Sequence, residues 1–262
     1  MAERRSALAS LFLAGLLLAG CGDSLSPPRP ERAAIAEAAR EIAATPPPRI
    51  VARPPQQDLA LLRRVAERTA AAAQPFCEAE LGRACRFSVD LARANVPNAY
   101  ASGQDRITFT TALMSVIRNE DELAAIMAHE MAHHIARHIP ESTWRVEAGA
   151  RVGAWLGNAV ATAIGYDPGL TQLGAEAGAH VASLTFSKAQ EREADYLGAW
   201  ITARAGYDLE RAGSIWATLT QLSGDKVTSM TDTHPAGPER LAQWRRVAAE
   251  IARDPESGPR RA

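Results

Sequence analysis

Two histidines four residues apart, with a glutamate directly after the first, constrain this chain more than any other feature: His129-Glu130-Met131-Ala132-His133. On a helix, residues four apart point the same way, so both imidazoles can reach one metal ion. Glu130 stands at the edge of that face. It can reach a water beside the ion without displacing it, as a general base requires. Five residues of this kind also arise by chance, so the surroundings carry the weight. Here Asn119 with Glu122 forms a capping pair that opens a helix from Glu120 to about His138. The apolar face of that helix runs through Leu123, Ile126, Met127 and Ile135.

A catalytic zinc needs a third protein ligand and an open position. Ser187 with Gln190 opens a second capped helix, ending near Gly206, and its start reads Glu191-Arg192-Glu193-Ala194-Asp195. Glu191 and Asp195 are again four apart. One can bind the ion while the other orients a ligand imidazole. Glu193 points elsewhere and reads as a solvated or salt-bridged charge. Alone, this run would be an exposed charged face; coupled to the upstream histidine pair, it reads as part of a site.

The remaining pattern is α+β and mostly helical. Asp58 to Ala73 fits an amphipathic helix, Cys85 to Asp90, Asn98 to Ala101 and Arg106 to Thr110 read as strands, and Ser102 to Asp105 as a turn. Asp208 caps a helix running to about Leu222. Pro238 starts the last one, with Leu241, Trp244, Val247 and Ile251 as its buried stripe. Between the capped helices, Val146 to Leu184 is rich in Gly and Ala, but Asn158, Asp167, Pro168 and Glu176 leave no run of membrane-spanning length. That stretch reads as closely packed helices, with a membrane-contacting lid as the sharper alternative. No internal repeat is visible.

The N-terminus reads as processing signal and not fold. Arg4 and Arg5 precede an apolar stretch, Leu8 to Ala19, that ends in Leu18-Ala19-Gly20-Cys21. This resembles the lipobox of bacterial lipoproteins, which implies removal of residues 1–20 and acylation of Cys21. Three acyl chains give stable anchoring where one would be marginal. Gly22 in place of aspartate favours the outer membrane over the inner. Residues 21–56, rich in Pro, Ala and Arg, read as a semi-rigid tether; Glu31 to Ala44 could form a short helix but has little apolar surface to bury. The folded domain is expected over 57–254, with 255–262 as a disordered tail. In an oxidising periplasm, Cys77 and Cys85 read as a disulfide closing a small loop. A formal charge of −1 over 262 residues provides no basic field, so nucleic acid is not an expected partner.

Taken together, three anchors in order resemble the CAAX prenyl protease/HtpX-like zinc metallopeptidases, closest to their soluble periplasmic lipoprotein members. The anchors are His129 to His133, Glu191 to Asp195, and Thr233-His234-Pro235 with Arg240. The resemblance covers roughly residues 95–247. It implies a gluzincin-like domain with a small sheet flanking the active-site helix, and one zinc ion per chain held by His129, His133 and Glu191. Glu130 is then the base, and Asp195 orients a ligand. It further implies that His234 can take the fourth zinc position in a latent state, and that Arg240 aids oxyanion binding. Asn98 to Ala101 matches the strand on which substrate adds in extended form. His134, His138 and His180 are left as structural. The expected substrates are unfolded or misassembled envelope proteins, with outer-membrane assembly machinery as a further partner. The rival readings are an assembly factor with a structural zinc, which a fourth ligand would favour, and a metal-storing lipoprotein, which would leave Glu130 without purpose.

Overall fold

The structure, a computed structural model, describes residues 25–139, 154–156, 158, 186–224, 234 and 236–261. Residues 1–20, Cys21, His180, Thr233, Pro235 and almost all of 146–184 lie outside the described residues. In chain order the elements are α1 (Arg32–Ala44), α2 (Pro55–Leu81), β1 (Ser88–Ala92), β2 (Ala99–Ser102), β3 (Arg106–Thr110) and α3 (Thr111–Met114). There follow α4 (Glu120–Ile135), α5 (Lys188–Arg204), α6 (Leu209–Gly224) and α7 (Pro238–Arg253). The fold is thus mostly helical with one small sheet.

The centre of the fold is α4. Asn119 caps it by accepting a hydrogen bond from the Glu122 N–H at 2.9 Å, and every residue from Glu122 to Ile135 is buried. The sequence reading assigned it a single apolar face. Helix α5 packs along one side, while α2, α6 and the sheet cover the others. The alanines at 124, 125, 128 and 132 leave room for that close packing, which a stripe of large residues does not register. Strand β3 is the middle strand, parallel to β1 and antiparallel to β2, with Ala99 opposite Phe109 and Ser102 opposite Arg106. Ile107 and Phe109 on β3 are fully buried, and His134 of α4 contacts the Arg106 carbonyl at 3.1 Å. The sheet is thereby fixed beside the metal-candidate helix.

The end of α2 and the start of β1 differ from the sequence reading for local reasons. Helix α2 continues through Pro75 to Leu81 and stops where Gly82 turns left-handed at φ 65°. Strand β1 begins at Ser88, not Cys85, because Cys85 is already committed. It is disulfide-bonded to Cys77, and both its main-chain groups pair with the Gln74 amide at 3.0 and 3.1 Å.

The expected tether and tail are docked on the domain. On α1, Ala38 and Ile42 are buried four residues apart, a stripe narrow enough to escape notice yet sufficient to seat the helix against α7 and α6. Gln221 of α6 donates to the carbonyls of Ile42 and Thr45. Ahead of α1, Leu25 is buried and forms a bridge with Arg261, and the Ser26 N–H donates to the Arg260 carbonyl at 2.9 Å. Arg260 also pairs with Glu250, and Arg261 with Glu80, so residues 255–261 are held by charge and backbone together.

The turn before β3 carries two successive left-handed residues, Gln104 and Asp105. Asp105 accepts from both terminal nitrogens of Arg83 at 2.8 Å and from the Arg86 N–H at 2.9 Å. The Arg83 hydrogen bonds outweigh burial and lower the Asp105 pKa from its ordinary 3.8 to about 2. Because the folded value is the lower one, the stabilisation is complete above about pH 4 and lost as pH falls toward 2. Asp105→Asn is expected to lose about 1–2 kcal/mol at neutral pH, after allowance for the exposed arginine. In urea titrations, the gap from wild type should close only below pH 4.

Candidate metal centre

The residues singled out along 105 positions of sequence converge at one buried point. His129 and His133 come from the middle of α4, Glu191 from the first turn of α5, and His234 from just ahead of α7. The reciprocal capping box of Ser187 and Gln190 sets where α5 begins, and so where Glu191 stands. Among the described residues, the set His129, His133, Glu191 and His234 offers four donor atoms within 4.8 Å of one another, all buried.

The spacing suits zinc. Donors held about 2.0–2.1 Å from a tetrahedral ion lie roughly 3.3 Å apart. Here His129 Nε2 is 3.0 Å from His133 Nε2, 3.2 Å from His234 Nδ1 and 3.5 Å from Glu191 Oε2. Glu191 Oε1 is 3.4 Å from His133 Nε2 and 2.8 Å from His234 Nδ1. The tautomers agree with an ion at the centre. His129 Nδ1 lies 2.9 Å from Asp195 Oδ1, which places its proton there and leaves Nε2 a bare lone pair. Two imidazole nitrogens facing each other at 3.0 Å repel unless a proton or a cation sits between them.

At His133 and Glu191, electrostatics act in the same direction. Burial pushes the His133 imidazole well below its usual value, so it is neutral and ready to donate its lone pair. For Glu191, burial works toward protonation, but His234, Arg240 and His129 outweigh it and hold the carboxylate charged. Asp195 is likewise held below its ordinary value against burial, chiefly by Arg240. His234 is raised in spite of burial because Glu191 and Glu130 face it.

Glu130 is buried and is not one of the donors. Its Oε1 lies 3.6 Å from His234 Nε2, and neither oxygen accepts a hydrogen bond. Arg240 is placed differently from the expectation of an oxyanion donor. Its Nε and one terminal nitrogen grip Asp195 at 2.8 and 2.6 Å, the other terminal nitrogen is 3.2 Å from Glu191 Oε2, and the guanidinium stacks on Trp216 at 4.1 Å. A guanidinium spent on two carboxylates and one ring has no fork left to offer a substrate. Its contacts describe a clamp behind the ligands.

Several neighbours escaped the sequence reading. His138 was left as structural and facing away, yet its Nδ1 lies 2.9 Å from His133 Nδ1. Helical extrapolation fails there because α4 ends at Ile135 and Arg137 turns left-handed at φ 59°. Glu193, read as a solvated or salt-bridged charge, takes the second role, as the partner of His138 at 3.2 Å. Phe186 stacks on His133 with centroids 3.9 Å apart. Its signal was its position just before the capping serine, where an apolar residue packs on the structure. Gly198 of α5 meets the backbone of α4: a Cβ there would stand 3.1 Å from the His129 nitrogen and 3.2 Å from its Cα. Gly198→Ala is expected to cost about 1–3 kcal/mol and to weaken zinc binding, since relief requires shifting the helix that carries His129. Thermal melting and chelator competition measure both.

Residues 56–248 match the model of peptidase family M48, about three-quarters of the chain. The chain belongs to that family. Relatives within reach of M48 sequence comparison include the mitochondrial metalloendopeptidase OMA1 of Arabidopsis thaliana, 30% identical over 145 residues, which are 55% of this chain and 28% of that one. The beta-barrel assembly-enhancing protease of Yersinia pestis is 30% identical over 164 residues, 60% of this chain and 34% of that protein. The OMA1 metalloendopeptidase of Schizosaccharomyces pombe is 27% identical over 158 residues, 60% and 45% respectively. The matched M48 region thus spans less than half the length of each of these relatives.

Proposed function

We propose that this protein is a zinc-dependent endopeptidase acting on unfolded or misassembled proteins of a bacterial envelope. The observation that carries the reading is the set of four inward-facing donors at tetrahedral spacing, with the Glu130 carboxylate beside them and accepting no hydrogen bond. His129, His133 and Glu191 would hold the ion, with His234 as a fourth, displaceable donor. When bound, zinc supplies Lewis acidity, which activates water and polarises the scissile carbonyl. Glu130 accepts the proton of the attacking water and returns it to the leaving amine nitrogen. Asp195 keeps the His129 proton on the far side of its ring, and Arg240 keeps Asp195 and Glu191 charged.

Substrate and place are part of the same proposal. The lipobox ending at Cys21 argues for export and a lipid anchor in the outer membrane, with residues 1–20 removed. The Yersinia relative's name couples a protease to beta-barrel assembly, which supports envelope proteins as substrates. Strand β2, an edge of the sheet among the described residues, favours extended, unfolded chains, because a strand partner is read mainly through its backbone.

One observation favours a second reading: a fourth protein donor, His234 Nδ1, closes the site, as in structural zinc centres. An assembly factor with a structural zinc would then result. Cleavage of casein by wild type and His234→Ala, with zinc content measured, separates the two. His234→Ala is expected to cut faster than wild type, because it removes the closed form. Stripping the metal with a chelator should silence both, and zinc should restore them. Zinc bound in every sample with no unfolded protein cut would hand the lead to the assembly factor.

A further inference from the structure

We infer that His138 and Glu193 position the ligand His133, forming a hydrogen-bonded relay from α5 to the metal centre. The inference rests on the zinc-site reading above. His133 points Nε2 inward, at 3.0 Å from His129 Nε2 and 3.4 Å from Glu191 Oε1. Its other nitrogen must then carry the proton and needs an acceptor. That acceptor is His138 Nδ1, at 2.9 Å.

Only one assignment of protons satisfies the whole chain. His133 Nδ1–H donates to His138 Nδ1. His138 Nε2–H donates to Glu193 Oε2 at 3.2 Å, and the Leu25 main-chain N–H donates to Glu193 Oε1 at 3.2 Å. Reversing the first link would put a proton on His133 Nε2, where it blocks the lone pair that a metal needs. It would also turn a bare His138 nitrogen toward a carboxylate. The carboxylate at the far end therefore selects the metal-binding tautomer of His133.

The arrangement parallels that of the other histidine of α4. His129 is oriented directly by Asp195, and His133 through an intervening imidazole by Glu193, both carboxylates being carried on α5. The left-handed turn at Arg137 is what brings His138 back beneath His133. Burial of His133 and His138 leaves no water to substitute for the missing acceptor if His138 is lost.

Zinc affinity, measured by competition with a chromogenic chelator on the full chain in detergent, tests this, together with the absorption spectrum of the cobalt-substituted protein. His138→Phe keeps the ring and removes the acceptor. His138→Asn loses the ring and places a side-chain oxygen near the Nδ1 position. The relay requires His138→Phe to weaken zinc binding about 10- to 100-fold and to alter the cobalt spectrum. It requires His138→Asn to remain within about threefold of wild type, the acceptor being retained. Glu193→Ala, at a partly exposed position, should weaken binding by about tenfold. A packing role would produce the opposite order, with Phe tolerated and Asn damaging, and that result overturns the inference. So does an unchanged affinity in both His138→Phe and Glu193→Ala. If wild type itself binds no zinc, the zinc-site reading fails first, a result distinct from either.

Discussion

Glu130→Gln is expected to leave the chain zinc-loaded and unable to cut unfolded protein, with a rate loss of about 10²–10⁴-fold. The side chain is not among the four donors, so exchanging a carboxylate oxygen for an amide nitrogen removes no ligand. Glutamine has nearly the same volume, so the closely packed α4 is not disturbed. What disappears is a buried carboxylate beside the centre that accepts no hydrogen bond and lies 3.6 Å from His234 Nε2. Its amide cannot accept the proton of an attacking water. Casein hydrolysis paired with zinc analysis by mass spectrometry gives the answer. Wild-type rates in a zinc-loaded Glu130→Gln protein would remove Glu130 from the chemistry. Loss of zinc along with activity would instead make it a ligand.

Arg240→Met is expected to destabilise the metal-free protein by about 3–5 kcal/mol, the largest stability effect anticipated for a single substitution here. Arg240 is buried between Asp195 and Glu191, and methionine would leave both carboxylates buried without their cation. Trp216 would also lose the guanidinium stacked on its ring. Zinc restores part of the missing positive charge, so the deficit should shrink in the loaded protein and melting with and without zinc should diverge more than in wild type. An arginine whose role was confined to a developing oxyanion would behave otherwise: turnover would fall while the metal-free melting point stayed unchanged.

The parts of this site that local pattern encodes were legible in advance. Spacing on one helix pairs His129 with His133, and the Ser187–Gln190 box sets the register of Glu191 and Asp195, because both depend on rules that operate within two turns. Contacts made between elements were not legible. His138 requires knowing that α4 stops at Ile135, and Arg240 requires knowing that α7 runs behind α5. Trp216 belongs to a helix whose sequence shows only an apolar stripe. Gly198 did leave a trace: a glycine inside a well-capped helix costs about 1 kcal/mol relative to alanine, which asks for a packing reason. Docking of α1 was missed because composition weighs average apolarity, whereas two well-placed residues, Ala38 and Ile42, suffice once a neighbour is there to receive them.

The pairing of Leu25 with Arg261 has a topological consequence. Residues 25 and 261 lie side by side, so the two ends of the described chain are neighbours. A short linker across that gap would convert the domain into a ring without stretching it, and fresh ends could then be opened in the exposed turn at Gly103. The same closeness means that a label placed at residue 261 would report on the surroundings of residue 25.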